Sequence, residues 1–416
     1  MNVSSKIIYR YAFNNSYAAT SYFCGQQLLR PLNKSLEFGA LLPQTLSPGF
    51  KGQWSTSSRE VAHRVMTAVA LFFLLPPSLF LSAFGFGLSY LGNLSRRSVV
   101  VLAPKEAKSL ESAPPTSLRV TTFNVAYMPP FVTVINGIRS TEERRGDVEQ
   151  SLQENDDDIV ACQEMFEEGN TIATSSVLRD KYPYQAILAG PRTVGLNSGL
   201  AIFSKYPLEN VQFHRYKDAS GSDSFANKGL LCATVRLSKD RVAFVFNTHL
   251  NAGHVDSDGG AIRDLQLEEA KIWLKAYVDS SPYKSQSVGT LFMGDFNIAQ
   301  DVGVEERVAS HQWAKHEGFF RGEFNEGYEG DGPLAPGETG SPGTFFHIDV
   351  KGEVTGWDPS KLKDWKIERE CLDHILFRTQ EVAGRQYKSE GYQRDLMRGS
   401  SDHLALRARF SLQAAT

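Results

Sequence analysis

The chain lacks the cysteine spacing and the charge excess that mark several common classes of protein. Its 416 residues carry a formal net charge of −3 and only four cysteines, with no Cys-x-x-Cys pair. The cysteines are widely spaced, which argues against a disulfide framework or a zinc site and favours buried thiols. An acidic chain without a lysine or arginine stripe gives no electrostatic argument for gripping nucleic acid. We therefore expect no nucleic-acid partner.

Charged residues are also absent from one long stretch near the N-terminus. Residues 65–95 contain no charged side chain and no histidine, and this length suffices for a spanning helix. Pro76 and Pro77 interrupt the stretch, and paired prolines kink or break a helix. A single kinked span, a hairpin entering one leaflet and a core hairpin of the soluble domain all stay open. Basic residues flank both ends, so the charge bias fixes no orientation.

Composition divides the rest of the chain into three parts. Residues 1–64 are polar and rich in aromatics, and we assign them no role. Residues 96–117 contain prolines, serines and charges, which is typical of a linker. Residues 118–412 are predicted to form a catalytic domain facing the solution, held at a membrane by residues 65–95. We predict no protein partner.

The local patterns in residues 118–412 predict two packed β-sheets flanked by helices. Ser140-Thr-Glu-Glu143 is a capping box that predicts a helix reaching about residue 153. Residues 230–237 and 242–246 are predicted to form a β-hairpin. Residues 323–343, rich in glycine, proline and acids, predict a long loop of the kind that acts as a lid. Four apolar residues at helical spacing predict a stripe facing the core: Leu267, Ala270, Leu274 and Tyr277.

Several apolar strand-like runs end on polar residues, which is costly in a buried position unless those residues meet a partner. The polar residues at or beside these strand ends are Asn124, Glu164, His249, Asp295, Asn297, Asp373, Asp402 and His403. Two histidines, several carboxylates and two amides at strand ends predict a metal-assisted hydrolase site.

The chemistry of phosphoryl transfer suggests a division of labour among these residues. A lone carboxylate such as Glu164 suits Mg²⁺, which keeps much of its water shell, and Asn124 could touch the metal or a phosphate oxygen. Asp295 and Asn297 are two residues apart and face the same side of an extended backbone, where they could hold water and phosphate. Two histidines can supply the base and the acid of an in-line displacement. Asp373 could hold one imidazole in its working tautomer.

Seven motifs resemble, in order, those of the endonuclease/exonuclease/phosphatase superfamily, which has the DNase I-like fold. They are Phe123-Asn124, Gln163-Glu164, Ser198 to Ser204, Asn247-Thr-His249-Leu250, Gly294-Asp-Phe-Asn297, Leu372-Asp-His-Ile375 and Ser401-Asp-His403. The resemblance implies a four-layer α/β/β/α sandwich of two mixed sheets. Within the superfamily, the segment from Tyr216 to Gly229 is similar to the Asp-x-x-x-Asn-Lys-Gly segment of neutral sphingomyelinases, especially the bacterial sphingomyelinase C type.

This resemblance implies a role for each matching residue. Glu164 would hold Mg²⁺, with Asn124 and Asp402 nearby, although Mn²⁺ and Co²⁺ stay open as alternatives. His403, oriented by Asp373, would be the general base, and His249 the general acid toward the leaving hydroxyl of ceramide. Asp295 and Asn297 would position water and phosphate. Substrate binding would also involve Asp223 and Lys228.

The resulting expectation is a membrane-associated phosphodiesterase that cleaves sphingomyelin or a related phospholipid to ceramide and phosphocholine. The sequence departs from the family where Asn251-Ala-Gly-His-Val255 replaces a more usual acidic run, which leaves the head group open. It also lacks the apolar hairpin with paired aromatics that secreted bacterial sphingomyelinases use on membranes. The alternatives are a nuclease or an inositol-phosphate phosphatase of the same fold, or a catalytically inactive, membrane-bound interaction module.

Overall fold

The chain forms two compact units, which are seen in a computed structural model. Met1–Arg97 with Met128–Glu143 make the N-terminal unit, and Ser98–Tyr127 with Arg144–Thr416 make the catalytic unit. The structure describes residues 12–13, 17–18, 20–31, 77–106, 109–135, 139–191, 196–252, 259–298, 315–316, 318–320, 323–324, 326–327, 345–347, 368–370, 372–395 and 397–415.

Seven strands form the first sheet of the catalytic unit. In spatial order they are β1 (Val100–Leu102), β4 (Tyr184–Ile187), β5 (Ala201–Ser204), β3 (Ile159–Gln163), β2 (Ser117–Asn124), β15 (Ala405–Ala414) and β14 (Arg385–Asp395). Strands β2 and β3 run parallel, and every other neighbouring pair is antiparallel. The sheet is therefore mixed, as predicted.

Six strands form the second sheet. In spatial order they are β10 (Glu326–Gly327), β13 (Asp373–Thr379), β9 (Ser287–Asp295), β8 (Val242–His249), β7 (Gly229–Arg236) and β6 (Leu208–Arg215). Strands β8 and β9 are parallel, whereas β7 and β8 form the antiparallel hairpin that the sequence predicts. A separate two-stranded ribbon pairs β11 (Phe345–His347) with β12 (Glu368–Glu370).

The α-helices of the described residues include the following six. They are α1 (20–31), α2 (77–93), α3 (Pro130–Ile135), α4 (Thr141–Glu154), α5 (Glu168–Val177) and α6 (Gly259–Ser280). The predicted capping box opens α4, because Ser140 N–H donates to Glu143 Oε2 at 3.0 Å and Glu143 N–H donates to Ser140 Oγ at 3.4 Å. These two bonds satisfy donors that the first helical turn leaves free.

The strands have apolar sequences because their side chains form the core between the two sheets. Val120 and Ile159 of the first sheet pack in one buried cluster with Val245 and Leu291 of the second, so the two sheets stack face to face. A second cluster lies on the other face of the second sheet, where the predicted stripe on α6 packs against Phe244 and its neighbours. With α5 bonded to β4 through Gln185 and Ser175, the layers run α/β/β/α and confirm the predicted architecture.

The predicted linker, residues 96–117, needs correction. Val100–Leu102 form β1 and pair with β4, and Glu111 O accepts a bond from Lys239 N–H at 3.0 Å. The prolines and charges of this segment suggested a linker, but the apolar run Val99 to Leu102 forms the outermost strand of the first sheet. Most of the predicted loop 323–343 lies outside the described residues, although β10 within it pairs with β13.

The predicted membrane segment, residues 65–95, falls partly on α2, and residues 65–76 lie outside the described residues. Helix α2 turns its large apolar side chains outward, and Phe80 and Phe84 are 67% and 59% exposed. Its small residues face α1, where an added Cβ at Gly25 would overlap Ser89 Oγ. Across the described residues, no helix is both long and apolar enough to span a bilayer.

Gly294 allows β8 and β9 to bring their last residues together, and we expect Gly294→Ala to weaken the fold. Its φ is +147°, and a Cβ there would overlap the carbonyl oxygen of Thr248, a backbone atom that cannot move aside cheaply. We expect a loss of about 3 kcal/mol or more in unfolding free energy, measured by denaturant titration. Gly146→Ala in α4 is the control, because its Cβ would meet open space and should stabilise by about 0.5–1 kcal/mol. Equal stability of Gly294→Ala and the wild type would contradict this account.

Candidate active site

The polar residues at the strand ends meet at one edge of the two sheets, namely the edge formed by the ends of the central strands. Parallel strands end at the same edge, so β2 delivers Asn124, β3 leads into Glu164, β8 delivers His249 and β9 delivers Asp295. Antiparallel β13 begins at that edge with Asp373, which lies opposite Asp295 in the register. His403 lies two residues before antiparallel β15. Sheet topology alone therefore assembles the cluster from six pieces of backbone.

Asp295 is the centre of this cluster. Its Oδ2 accepts a hydrogen bond from Asn124 Nδ2 at 3.0 Å. The same oxygen lies 3.5 Å from His249 Nε2 and 3.7 Å from His403 Nε2. Burial raises the pKa of Asp295 to about 6, although the charge of His403 lowers it in part. The two imidazoles thus face one carboxylate oxygen.

His403 is held by Asp373. Its Nδ1 lies 2.8 Å from Asp373 Oδ2, which fixes the ring and leaves Nε2 facing Asp295 and the Asn124 amide. Burial lowers the pKa of His403, but the carboxylates of Asp373 and Asp295 outweigh burial and raise it to about 10. The two carboxylates therefore favour the protonated form of His403 near neutral pH.

His249 has the opposite electrostatic surroundings. Burial, together with the charges of Lys228 and His403, holds its pKa well below the usual value. Its Nε2 lies 3.9 Å from Glu164 Oε1. These shifts favour a neutral His249 and a charged His403 near neutral pH, the reverse of the states in which an acid and a base begin their step.

Glu164 is the carboxylate with an oxygen available to a cation, since that oxygen makes no hydrogen bond to the described residues. It is a non-glycine residue with φ of +58°, a strained conformation that places its side chain in the cluster. Burial, then the charge of Asp402, raises its pKa to about 7. Its Oε2 is buried and has no hydrogen-bond partner among the described residues. A buried oxygen without a donor and a nearby second carboxylate fit a hard divalent ion such as Mg²⁺.

A second set of ligand atoms lies close by. Asp295, Asp373 and His403 place one ligand atom each within 4.8 Å of one another. These atoms already bond within the cluster, because Asp373 holds His403 and Asp295 accepts from Asn124. Glu164 is therefore the better candidate ligand in the described part of the chain.

The other predicted metal ligands are placed less directly. Asn124 donates to Asp295 through Nδ2, while its Oδ1 accepts from Ala126 N–H at 3.1 Å. Asp402 is half-buried, and its Oδ1 lies 3.2 Å from Ser401 Oγ. Metal binding by Asn124 and Asp402 stays a prediction.

The predicted substrate-binding residues meet around one backbone carbonyl. Leu250 O accepts bonds from Lys228 Nζ at 3.0 Å and from Asn297 Nδ2 at 3.1 Å. Lys228 Nζ also lies 3.3 Å from Asp223 Oδ2, and this ion pair joins the exposed 3₁₀ turn Gly221–Phe225 to the buried site. The charge of Lys228 also lowers the pKa values of Glu164 and His249.

Sequence reasoning gave no role to a buried amide pair that joins the sheets beneath the site. Gln163 Nε2 donates to Asn247 Oδ1 at 2.7 Å, and Asn247 Nδ2 donates to the carbonyls of Cys162 and Ala201 at 2.9 Å each. Leaving such a buried group unpaired costs about 1–3 kcal/mol, so the pair fixes how the sheets align. The sequence signal that could have indicated this pair is an amide side chain, Gln163 or Asn247, within an otherwise apolar strand.

The described cysteines agree with the expectation of thiols that form no disulfide. Cys162 and Cys232 are free and buried, and burial raises the pKa of each thiol. Cys24 is free and exposed, and Cys371 lies outside the described residues.

Two mixed sheets packed face to face, with a His and carboxylate cluster at their shared edge, define a protein of the DNase I-like class. The chain belongs to the Endonuclease/Exonuclease/phosphatase family, whose sequence profile matches residues 121–403.

Similar proteins include a phospholipase C of Staphylococcus aureus, 27% identical over 186 residues, which are 42% of this chain and 55% of the relative. Human sphingomyelin phosphodiesterase 3 is 34% identical over 209 residues, which are 47% of this chain and 30% of that protein. Among solved structures, that of SmcL superposes with a TM-score of 0.50 at 18% identity, covering 71% of this chain and 99% of SmcL. The chain thus spans about half, or less, of the length of these two curated relatives, and the structural likeness concerns the fold.

Proposed function

We propose that this chain is a Mg²⁺-dependent phosphodiesterase that hydrolyses sphingomyelin, or a related phospholipid, to ceramide and phosphocholine. The observation that carries the proposal is the pair of imidazoles, His249 and His403, on one oxygen of Asp295 beside the unbonded oxygen of Glu164. Both phosphodiester chemistry and a hard cation fit this arrangement. The names of the phospholipase C and sphingomyelin phosphodiesterase relatives support the choice of a lipid phosphodiester.

In the proposed reaction a water oxygen attacks phosphorus, and the bond from phosphorus to the ceramide oxygen breaks. His403 Nε2 takes the proton of the attacking water, while Asp373 keeps Nδ1 protonated and stabilises the resulting imidazolium. His249 gives its proton to the departing ceramide oxygen. Because the free site holds His249 neutral, the negative phosphate of the substrate must favour its protonation on binding.

Glu164, with Asp402 nearby, would hold the cation. Bound there, Mg²⁺ would polarise the phosphoryl oxygens and supply the positive charge that lowers the pKa of His403 toward the working range. Lys228, buried and cationic, would bind a phosphate oxygen once it exchanges its contact with Asp223 for the substrate.

We also propose that the chain acts at a membrane, through the region that includes residues 65–95. Helix α2 supports this, because small residues face α1 while phenylalanine and leucine side chains point outward. Water-soluble proteins usually show the opposite distribution, whereas small residues at helix contacts and large apolar ones outside are typical in lipid. The lipid substrate proposed for the site would lie at the same surface.

The function is tested with the full chain and mixed vesicles of sphingomyelin, phosphatidylcholine and phosphatidylinositol, with and without Mg²⁺. We expect ceramide and phosphocholine, identified by mass spectrometry, only when Mg²⁺ is present, and their loss in a His249→Asn variant. Diacylglycerol as the main lipid product would move the preference to a glycerophospholipid. Inorganic phosphate from inositol phosphates would indicate a phosphatase, and nicked plasmid DNA a nuclease. No product from any substrate would favour a binding module.

A further inference from the structure

Arg144 is a buried cation that the proposed chemistry does not use. It lies on α4 and is 1% exposed, although arginine is seldom fully buried. Its guanidinium donates to three backbone carbonyl oxygens, those of Val125, Ala126 and Ser400. Two of these acceptors follow Asn124 directly in the chain, and the third lies three residues before His403. One side chain therefore joins the two loops that carry these groups.

The first loop depends on a strained backbone. Ala126 has a φ of +51°, a region that residues other than glycine adopt at a cost. In this conformation Ala126 N–H donates to Asn124 Oδ1 at 3.1 Å, which turns Asn124 Nδ2 toward Asp295 and His403. Arg144 binds the carbonyls on both sides of the Ala126 nitrogen, at Val125 and Ala126. Its contacts thus stabilise the backbone that sets the direction of the Asn124 amide.

The second loop is tied to the first by Ser401. Its Oγ donates to Asn124 O at 2.7 Å and accepts from His403 N–H at 3.2 Å. Arg144 binds the carbonyl of the preceding residue, Ser400, so the guanidinium and this hydroxyl hold the same two loops in parallel. We call these two connections, the Arg144 guanidinium and the Ser401 hydroxyl, the two ties. If one tie is lost the other still connects the loops, whereas loss of both leaves the loops unconnected by these groups.

We propose that Arg144 is a positioning residue, a clamp that fixes the Asn124 and His403 loops relative to each other so that both side chains meet Asp295. A planar guanidinium can serve three carbonyls that point in different directions, whereas a lysine ammonium at the same place cannot span them. The effect on catalysis rests on the proposed function, but the clamp itself is a statement about the two loops.

The clamp is tested with Arg144→Lys, which keeps the charge, in the full chain with Mg²⁺ present. We expect kcat on sphingomyelin vesicles to fall about 10- to 100-fold with KM within about twofold, because misplaced catalytic groups lose transition-state contacts. Hydrogen exchange measured by mass spectrometry should rise in the peptides that contain Val125 and Ala126 and those that contain Ser400 to His403, with α6 unchanged.

Arg145→Lys is the matched control, since this neighbour on α4 bonds to Asn170 and Glu149, and within the described residues it makes no bond to either loop. The double variant Arg144→Lys with Ser401→Ala should lose more than the product of the single losses, because the two ties act in parallel. Exchange rising across the whole catalytic unit, or normal kcat with unchanged exchange in both loops, would overturn the proposal. If the wild type had no lipid activity but Arg144→Lys showed the expected rise in exchange, the proposed function would be refuted and the clamp would still be supported.

Discussion

His403→Gln is expected to lower kcat by about 10³- to 10⁴-fold, with a much smaller change in KM, because it removes the base that takes the proton of the attacking water. Glutamine fills a similar volume and can still bond to Asp373, so the fold should survive. The prediction depends on geometry, since His403 Nε2 and His249 Nε2 face the same oxygen of Asp295. Steady-state kinetics on sphingomyelin vesicles at saturating Mg²⁺ would measure it.

The chain offers a matched control for this variant. His316 is also buried and also bonds to a carboxylate, with its Nε2 at 2.7 Å from Asp264 Oδ1, but it lies against α6 and outside the cluster. We expect His316→Gln to cost some stability and to leave kcat within about threefold of the wild type, whereas a base contributes far more. If His403→Gln kept more than a tenth of the wild-type kcat, another group would have to be the base.

Much of this arrangement follows from patterns that are visible in the sequence. An apolar run that stops on a polar residue predicts both a buried strand and a side chain delivered to its end, as at Asn124, His249 and Asp295. The capping box at Ser140 and the stripe that includes Leu267 predicted helices for similarly local reasons. The sequence therefore predicts the layers of the fold and most of the residues that meet at the edge.

The features that sequence reasoning missed depend on contacts between distant segments. Strand β6 alternates irregularly and contains a register shift between Glu209 and Gln212, so its pattern gives little sign of a strand. The bond from Gln163 to Asn247 joins residues 84 positions apart, and the Arg144 clamp reaches Ser400 across 256. No periodicity within a short window can reveal such partners.

The protonation states of the site residues also could not be predicted without the three-dimensional arrangement. Two histidines at strand ends look equivalent in the sequence, yet Asp373 raises the pKa of one while burial and Lys228 lower the pKa of the other. Burial and the charge of Asp402 raise the pKa of Glu164 as well, so Glu164 and His403, proposed as cation ligand and general base, both favour their protonated forms. A cation bound here, as proposed, would therefore release protons from the site.

Glu164→Gln is expected to weaken Mg²⁺ binding by about 100-fold or more and to lower kcat/KM by a similar factor at fixed Mg²⁺. Glutamine keeps one oxygen but removes the negative charge that attracts the ion. Because burial and Asp402 raise the pKa of Glu164 to about 7, protons compete with Mg²⁺ below that pH. In the wild type the apparent Kd for Mg²⁺, measured by calorimetry, should therefore rise by about tenfold per pH unit below pH 7.

The variant separates this linkage from a general effect of acid on the protein. Without an ionisable group at position 164, Glu164→Gln should bind Mg²⁺ weakly at every pH, with a much flatter dependence below pH 7. Glu167→Gln is the control, because that carboxylate lies three residues along, accepts a bond from Asn170 Nδ2 at 2.9 Å, and should leave both affinity and slope unchanged. If the pH slope of Glu164→Gln were the same as that of the wild type, the competing proton would have to be on another group. The ion would then be assigned to the neighbouring group of Asp295, Asp373 and His403.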